Sequence, residues 1–309
     1  MNRAGRVVSW LGSLLMLVSL AFIARRLMAD GLDTALFSSP AVVAAVVCIA
    51  VLEGAGILAA SINFGRLVRN ISGVSVDTAS VLKAYTMANV YKYIPGSVAY
   101  VLGRNRLALE NKSLSHGKVL LSTVAEGVLF VAAAALIALV CVFGYSLEYL
   151  RQTGLLAPLL YAAVVLPAVA LPVVCVLRKR LREGVGRLRA SAEILRPRVI
   201  AARFGFSLVI VFLWGLSFWA TLLIMGHPAD PRGALTVIGL YLLAWLAGFL
   251  TPGAPSGLGV REAVMLMFLG DIAGETVLLS AIITHRALNI AGDIFALAAA
   301  LVSVNKYRP

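Results

Sequence analysis

The chain has 309 residues, of which 61% are hydrophobic and only 13% charged, with a mean hydropathy of +0.95. Soluble domains are about 45–50% apolar and about 25% charged, so this composition leaves too little polar surface to face water and excludes a soluble globule. The net charge of +13, from 27 Lys and Arg against 14 Asp and Glu, sits mainly between apolar runs. There it orients spans and attracts anionic headgroups, and it gives no reason to invoke nucleic acid.

Apolar segments fall at about 7–28, 40–61, 79–102, 117–143, 155–177, 203–225, 235–270 and 276–304. A helix needs about 20 apolar residues to cross a bilayer core, and each segment reaches that length. The first follows Arg3 and Arg6, as a signal peptide would. It is long for one, and Arg25 and Arg26 replace a small-residue cleavage site, so it reads as an uncleaved helix. Cys48, Cys141 and Cys175 lie in apolar runs without paired spacing and read as small buried hydrophobes.

Two segments are interrupted. Segment 79–102 is broken by Lys92-Tyr93-Ile94-Pro95-Gly96, and segment 235–270 by the stretch from Thr251-Pro252-Gly253 to Gly257-Leu258-Gly259. Non-helical backbone at membrane depth survives only where protein or a water-filled cavity satisfies it. Each break is therefore a re-entrant hairpin or a discontinuous helix.

Charge chooses between them. Arg3 and Arg6 place the N-terminus inside, and the loop after the second segment carries Arg66 and Arg69. If segment 79–102 crossed fully, Arg104, Arg106, Lys112 and Lys118 would lie outside. So would the stretch Arg178–Arg203, with nine basic residues against Glu183 and Glu193. A hairpin entering from the cytoplasm keeps both clusters inside and puts the weakly charged loops 144–154 and 226–234 outside. A second hairpin entering from the outer side leaves an acidic loop with Asp271 and Glu275 external and returns Lys306 and Arg308 to the cytoplasm. The expected fold is an all-α polytopic membrane protein with about six full crossings and two re-entrant hairpins. Its N- and C-termini are both cytoplasmic in the inner membrane.

The two breaks resemble each other. Pro95-Gly96 precedes Gly103-Arg104, and Pro252-Gly253 precedes Gly259-Val260-Arg261-Glu262; a long helix follows each. This predicts an inverted repeat within a single membrane domain, over about 40–177 and 203–304, with a site near the midplane.

An ionisable side chain at the bilayer centre costs about 2.5–3.5 kcal/mol, so each one needs a partner or a cavity. The candidates are Glu53, Lys92, Glu126, Arg261, Glu262, His285, Arg286 and Asp293. Arg286, Asn289 and Asp293 share one helix face, where Arg286 and Asp293 either neutralise each other or pair across to Glu126. A half-helix starting after either break exposes unpaired backbone N–H groups that bind phosphate or carboxylate. Lys92, Arg104, Arg261 and Arg286 add charge to the same place. The alternative for Arg104 and Arg106 is to anchor the cytoplasmic rim. Tyr91, Tyr93 and Tyr100 read as packing or interface aromatics, and His285 as a packed polar residue. His116, His227 and His285 form no metal-binding pair, and no phosphate loop, nucleophile elbow or dinucleotide fingerprint is present. The chain is expected to be no enzyme and to use no cofactor or metal.

These residues carry a resemblance. Lys92 to Gly96, Gly103-Arg104, Thr123 to Glu126, Pro252-Gly253 and above all Gly257-Leu258-Gly259-Val260-Arg261-Glu262 resemble the transmembrane region of the lysylphosphatidylglycerol synthase family, also called flippase-like membrane proteins. The resemblance covers roughly 7–304. It implies inverted repeats with re-entrant helices that move an aminoacylated lipid between leaflets, or a role in lipid-linked sugar pathways. A separate soluble domain makes the aminoacyl lipid, and these 309 residues leave no room for it, so synthesis is not carried over. Pro95, Gly96, Arg104, Glu126, Gly259, Arg261 and Glu262 match the family motif. Lys92, Pro252, Gly253, Arg286 and Asp293 complete the expected headgroup site. The leading expectation is a flippase for an anionic headgroup on a phospholipid or polyprenyl-phosphate-linked lipid, with membrane lipids as partners. The alternatives are a non-catalytic subunit assisting a lipid-linked glycosyltransferase or another lipid-modifying enzyme, and a small-solute secondary transporter. For the flippase, Glu126, His285 and Asp293 are the candidate proton carriers.

Overall fold

A computed structural model describes residues 39–93, 98–145, 197–228, 230–251 and 257–306. The segments expected at 7–28 and 155–177 lie outside the described residues, as do Cys175, Arg178 to Arg196 and the four break residues Pro95, Gly96, Pro252 and Gly253. Eight helices form in the described part: α1 (Pro40–Ser72), α2 (Thr78–Tyr91), α3 (Val98–Glu110), α4 (His116–Tyr145), α5 (Pro197–Ile224), α6 (Pro231–Leu250), α7 (Val260–Ala273) and α8 (Glu275–Lys306). Five of them, α1, α4, α5, α6 and α8, are long and apolar enough to cross a membrane.

Helix α1 begins at Pro40, whose fixed φ suits a first turn, and ends at Gly73 with φ 71°, its N–H returning to the Arg69 carbonyl at 2.9 Å. It therefore runs well past the apolar segment 40–61. Arg66 and Arg69, expected in a loop, lie on its last turns. The extension is amphipathic: Phe64, Leu67, Val68 and Ile71 are buried while Arg66 and Arg69 are exposed. Its 33 residues span about 50 Å, against about 30 Å of hydrocarbon, so one end projects beyond the core. Cys48, expected buried, is exposed on the outer face of the same helix, whereas Cys141 is buried.

The first break separates α2 and α3, of 14 and 13 residues, or about 20 Å each, both too short to cross alone. Asp77 caps α2 by accepting the Ser80 N–H at 3.0 Å. The two short helices pack together at Gly103, where a Cβ would stand 2.9 Å from the Ala88 Cα. The second break is unequal: α6 has 20 residues, about 30 Å, while α7 has 14. The acidic loop expected at Asp271 and Glu275 does not exist. Asp271 ends α7 and Glu275 begins α8, with only Gly274, at φ 77°, between the helices.

Helix α8 packs against α1, α2, α5 and α7. Its closest approach is to α1, where a Cβ on Gly292 would lie 2.8 Å from the Glu53 Cβ and one on Gly54 2.9 Å from the Gly292 carbonyl oxygen. Small residues permit this contact where no hydrophobic effect drives helices together. Large apolar side chains face outward, among them Leu52, Val128, Val209, Phe249, Met267 and Ile294. This is the surface that lipid covers.

Gly292→Val should push α8 off α1 and lower the thermal midpoint of the purified protein, at the about 1–3 kcal/mol cost of an overpacked core. Gly56→Ala meets no neighbour within 4 Å. It should hold or raise the midpoint, by up to about 1 kcal/mol of helix propensity.

Candidate functional site

Polar side chains from six elements meet where α8 crosses the two breaks. Asp293, only 1% exposed, accepts Lys92 Nζ at 2.7 Å and the Tyr93 hydroxyl at 2.7 Å. The end of α2 is thereby tied to α8. Two turns earlier on α8, Arg286 pairs with Glu262 Oε1 on the first turn of α7. Glu262 Oε2 accepts the Gly259 N–H at 2.6 Å, so both carboxylate oxygens are engaged. The N-terminus of α7, expected to present free N–H groups to a ligand, is capped by the chain's own carboxylate.

Arg261 has a different setting. Its guanidinium lies 4.5 Å over the Tyr241 ring and donates to the Tyr241 hydroxyl, and among the described residues it joins no ion pair. Tyr241 on α6 meets His285 Nε2 at 3.1 Å, and His285 Nδ1 meets Thr221 Oγ1 at 3.4 Å. Since Arg261 already donates to the tyrosine oxygen, the tyrosine proton is free to point at Nε2. Thr221 donates to the Ser217 carbonyl, so it can accept from Nδ1. A neutral imidazole protonated at Nδ1 satisfies the whole chain. Buried His285 is thus a packed relay between α5 and α6, edge-on to Phe218.

Glu53 on α1 closes the cluster. It accepts from Ser217 Oγ and lies within electrostatic reach of Lys92, Arg261 and Asp293. Three buried atoms in this group have no partner among the described residues: Arg261 Nε, Arg286 Nη2 and Asp293 Oδ1. Buried polar atoms are almost always hydrogen-bonded, so two donors and an acceptor left over in one cluster describe a place for a polar ligand or water. Among the described residues no group of His, Cys, Asp and Glu can hold a metal ion.

Arg104 and Glu126 form a separate lock. Both are almost wholly buried and paired with each other, and the Tyr85 hydroxyl donates to Glu126 Oε1 at 3.3 Å. Phe64, Tyr85 and Tyr100 surround the guanidinium at 4.7, 4.1 and 4.5 Å. Arg104 is therefore no rim anchor. It joins α3 to α4 inside an aromatic cage.

The structure thus gathers Lys92, Gly259, Arg261, Glu262, Arg286 and Asp293 and sets Arg104 and Glu126 together as their own pair. Arg286 and Asp293 neither neutralise each other nor reach Glu126. Tyr93, Ser217, Thr221 and Tyr241 are missing from the sequence reading of the site, and Glu53, one of its ionisable candidates, has no place in it. Glu53 carried a signal, as an acid within an apolar run. Tyr241 carried none, because a tyrosine between leucines reads as packing until a neighbouring helix brings an arginine to it.

The chain matches the family described as Lysylphosphatidylglycerol synthase TM region over residues 9–296, nearly its whole length and all of the cluster above. The chain belongs to this family. No curated protein matches it. Membership makes it a multi-pass membrane protein, in keeping with the five candidate spans.

In this family member, breaking the Arg104–Glu126 pair leaves an uncompensated buried charge. Glu126→Leu alone should destabilise by about 3–5 kcal/mol, and Arg104→Met/Glu126→Leu should recover most of the loss. Thermal unfolding in detergent reads both. Equal destabilisation by single and double variants would show that the charges are not coupled.

Proposed function

We propose that the chain is a lipid transporter, a flippase that carries an anionic headgroup across the inner membrane on a phospholipid or polyprenyl-phosphate-linked lipid. The observation that carries the reading is Arg261, a cation held within the helix bundle by Tyr241, without an acidic partner among the described residues and with a buried donor to spare. A phosphate oxygen is the natural acceptor for a guanidinium so placed, and Arg presents paired donors in a geometry that matches it. Glu262 is committed to Gly259 and Arg286, so its role is to hold those groups in place and not to select a cationic substituent. Lys92 and Arg286 lend charge from their ion pairs, which a headgroup can displace in part.

In this reading the frame has about six crossings, with α2–α3 entering from the cytoplasm and α6–α7 from the outer side, where α6 alone is also long enough to cross, and both termini are cytoplasmic. A repeated bonding pattern supports an inverted repeat. In each half the helix after the break pairs with the next long helix: Arg104 with Glu126, 22 residues on, and Glu262 with Arg286, 24 residues on. The signs are reversed. Lipid tails stay in hydrocarbon while the headgroup passes the polar cluster, which lowers the cost of moving its charge. The protein moves its substrate and does not transform it.

In reconstituted vesicles, transfer of a fluorescent phosphatidylglycerol between leaflets reads this role through chemical quenching of the outer leaflet. Arg261→Ala should slow transfer about tenfold or more, because a hydrogen bond to a charged group is worth about 1.5–3 kcal/mol. Arg261→Lys should fall between. An unchanged rate in Arg261→Ala with a folded protein would remove the residue from the mechanism.

A further inference from the structure

At the far end of α1, about 20 Å along the helix from Glu53, a cavity of about 330 Å³ opens between α1, the α1–α2 connection and α2. Its walls carry Arg66 and Arg69 from α1 with Ser75 and Thr78 from the connection and first turn of α2, over a floor that includes buried Val81. Gly65 makes the floor possible. A Cβ there would come 3.0 Å from Val81 Cγ1, so glycine lets α2 lie close beneath the two arginines.

Ile62, Arg66 and Arg69 stand at positions i, i+4 and i+7, on one face of the helix. Ile62 is 41% exposed and also lines the cavity, so the face passes from apolar to cationic as it leaves the apolar run 40–61. Arg66 lies four residues beyond Ile62, about 6 Å, and Arg69 about 10 Å. The headgroup zone on each side of a bilayer is about 5–8 Å deep, so with Ile62 at the hydrocarbon boundary Arg66 lies within that zone and Arg69 just past it, each long side chain able to reach a lipid phosphate.

Among the described residues no acid pairs with the positive charge there. Arg203 on α5 donates to Asn63 on α1 and lies within electrostatic reach of both Arg66 and Arg69. None of the three joins an ion pair among the described residues. The nearest acid in sequence, Asp77, caps α2 through the Ser80 N–H and makes no ion pair with either arginine among the described residues. Arginines that only set topology need no cavity and gain nothing from being held together; their repulsion is relieved when an anion lies between them.

We propose that this cavity binds the phosphodiester headgroup of an anionic phospholipid, at a site separate from the Arg261 cluster. Arg66 and Arg69 hold the phosphate oxygens, Ser75 and Thr78 offer hydroxyl donors, and Ile62 meets the upper part of an acyl chain. The apolar lip at Ile62 selects a lipid over free phosphate. The site does not depend on the transport role, since a lipid bound at the rim serves a membrane protein of any function.

Native mass spectrometry of the full chain, titrated with phosphatidylglycerol and in parallel with phosphatidylcholine, tests it. In the Arg261→Ala background, which sets the central cluster aside, the chain should retain one phosphatidylglycerol that adding Arg66→Gln/Arg69→Gln weakens about thirtyfold, each basic residue near the surface being worth roughly fivefold. Lys112→Gln, which removes an exposed positive charge elsewhere, should leave that lipid in place. Arg66→Lys/Arg69→Lys should keep part of the retention, which separates loss of binding from loss of fold. Equal retention of phosphatidylcholine, displacement of the lipid by millimolar inorganic phosphate, or undiminished retention in the double Gln variant would each overturn the proposal.

Discussion

Helix α8 carries two opposite charges, Arg286 and Asp293, seven residues and about 10 Å apart along its axis, too far to satisfy one another. Each costs about 2.5–3.5 kcal/mol in hydrocarbon unless partnered, so α8 is stable there only if other elements bring opposite charges to it. The two breaks do so. Lys92, just past the end of α2, reaches Asp293, and Glu262 at the start of α7 reaches Arg286. The ends of two short helices, which could not cross a membrane alone, are fastened by this need to one long helix.

The same constraint explains why two arginines of similar appearance have different surroundings. Arg104 meets Glu126 and is enclosed by three aromatic rings at 1% exposure, so its charge is matched within the protein. Arg261 has one ring and a neutral hydroxyl, and it shares its neighbourhood with Glu53, Asp293 and Arg286 without being assigned to any of them. The first arrangement holds helices together. Each arginine has a buried Nε without a partner among the described residues, but only the second lacks an acid and so keeps a charge for something from outside.

Much of the helical architecture was legible because hydropathy and helix length obey the same physical limit. Four described spans lie where apolar runs predicted them, and described helices end on either side of both Pro-Gly stretches, at Tyr91 and Val98 and at Leu250 and Val260. Three features were not legible. Residues 62–72 continue α1 because Phe64, Leu67, Val68 and Ile71 find a protein surface, which no local pattern announces. The turn at Gly274 replaces an expected loop because one glycine in a left-handed conformation suffices to join two helices. Pairing was the hardest to foresee: membrane cost says that Asp293 needs a cation but not which one, and only the packing of α2 against α8 selects Lys92 over Arg286 or Arg261.

The glycine contact between α1 and α8 bears on mechanics as well as packing. Gly54 and Gly292 bring the two helices to backbone distance, with Glu53 and Asp293 beside them. Links made of ion pairs are exchangeable, because a competing charge or a water chain can replace either partner, whereas backbone contact admits no substitute. A rearrangement that opened the cluster would therefore leave this contact in place and act on the exchangeable polar links, Lys92 and Tyr93 with Asp293 on one side and Glu262 with Arg286 on the other.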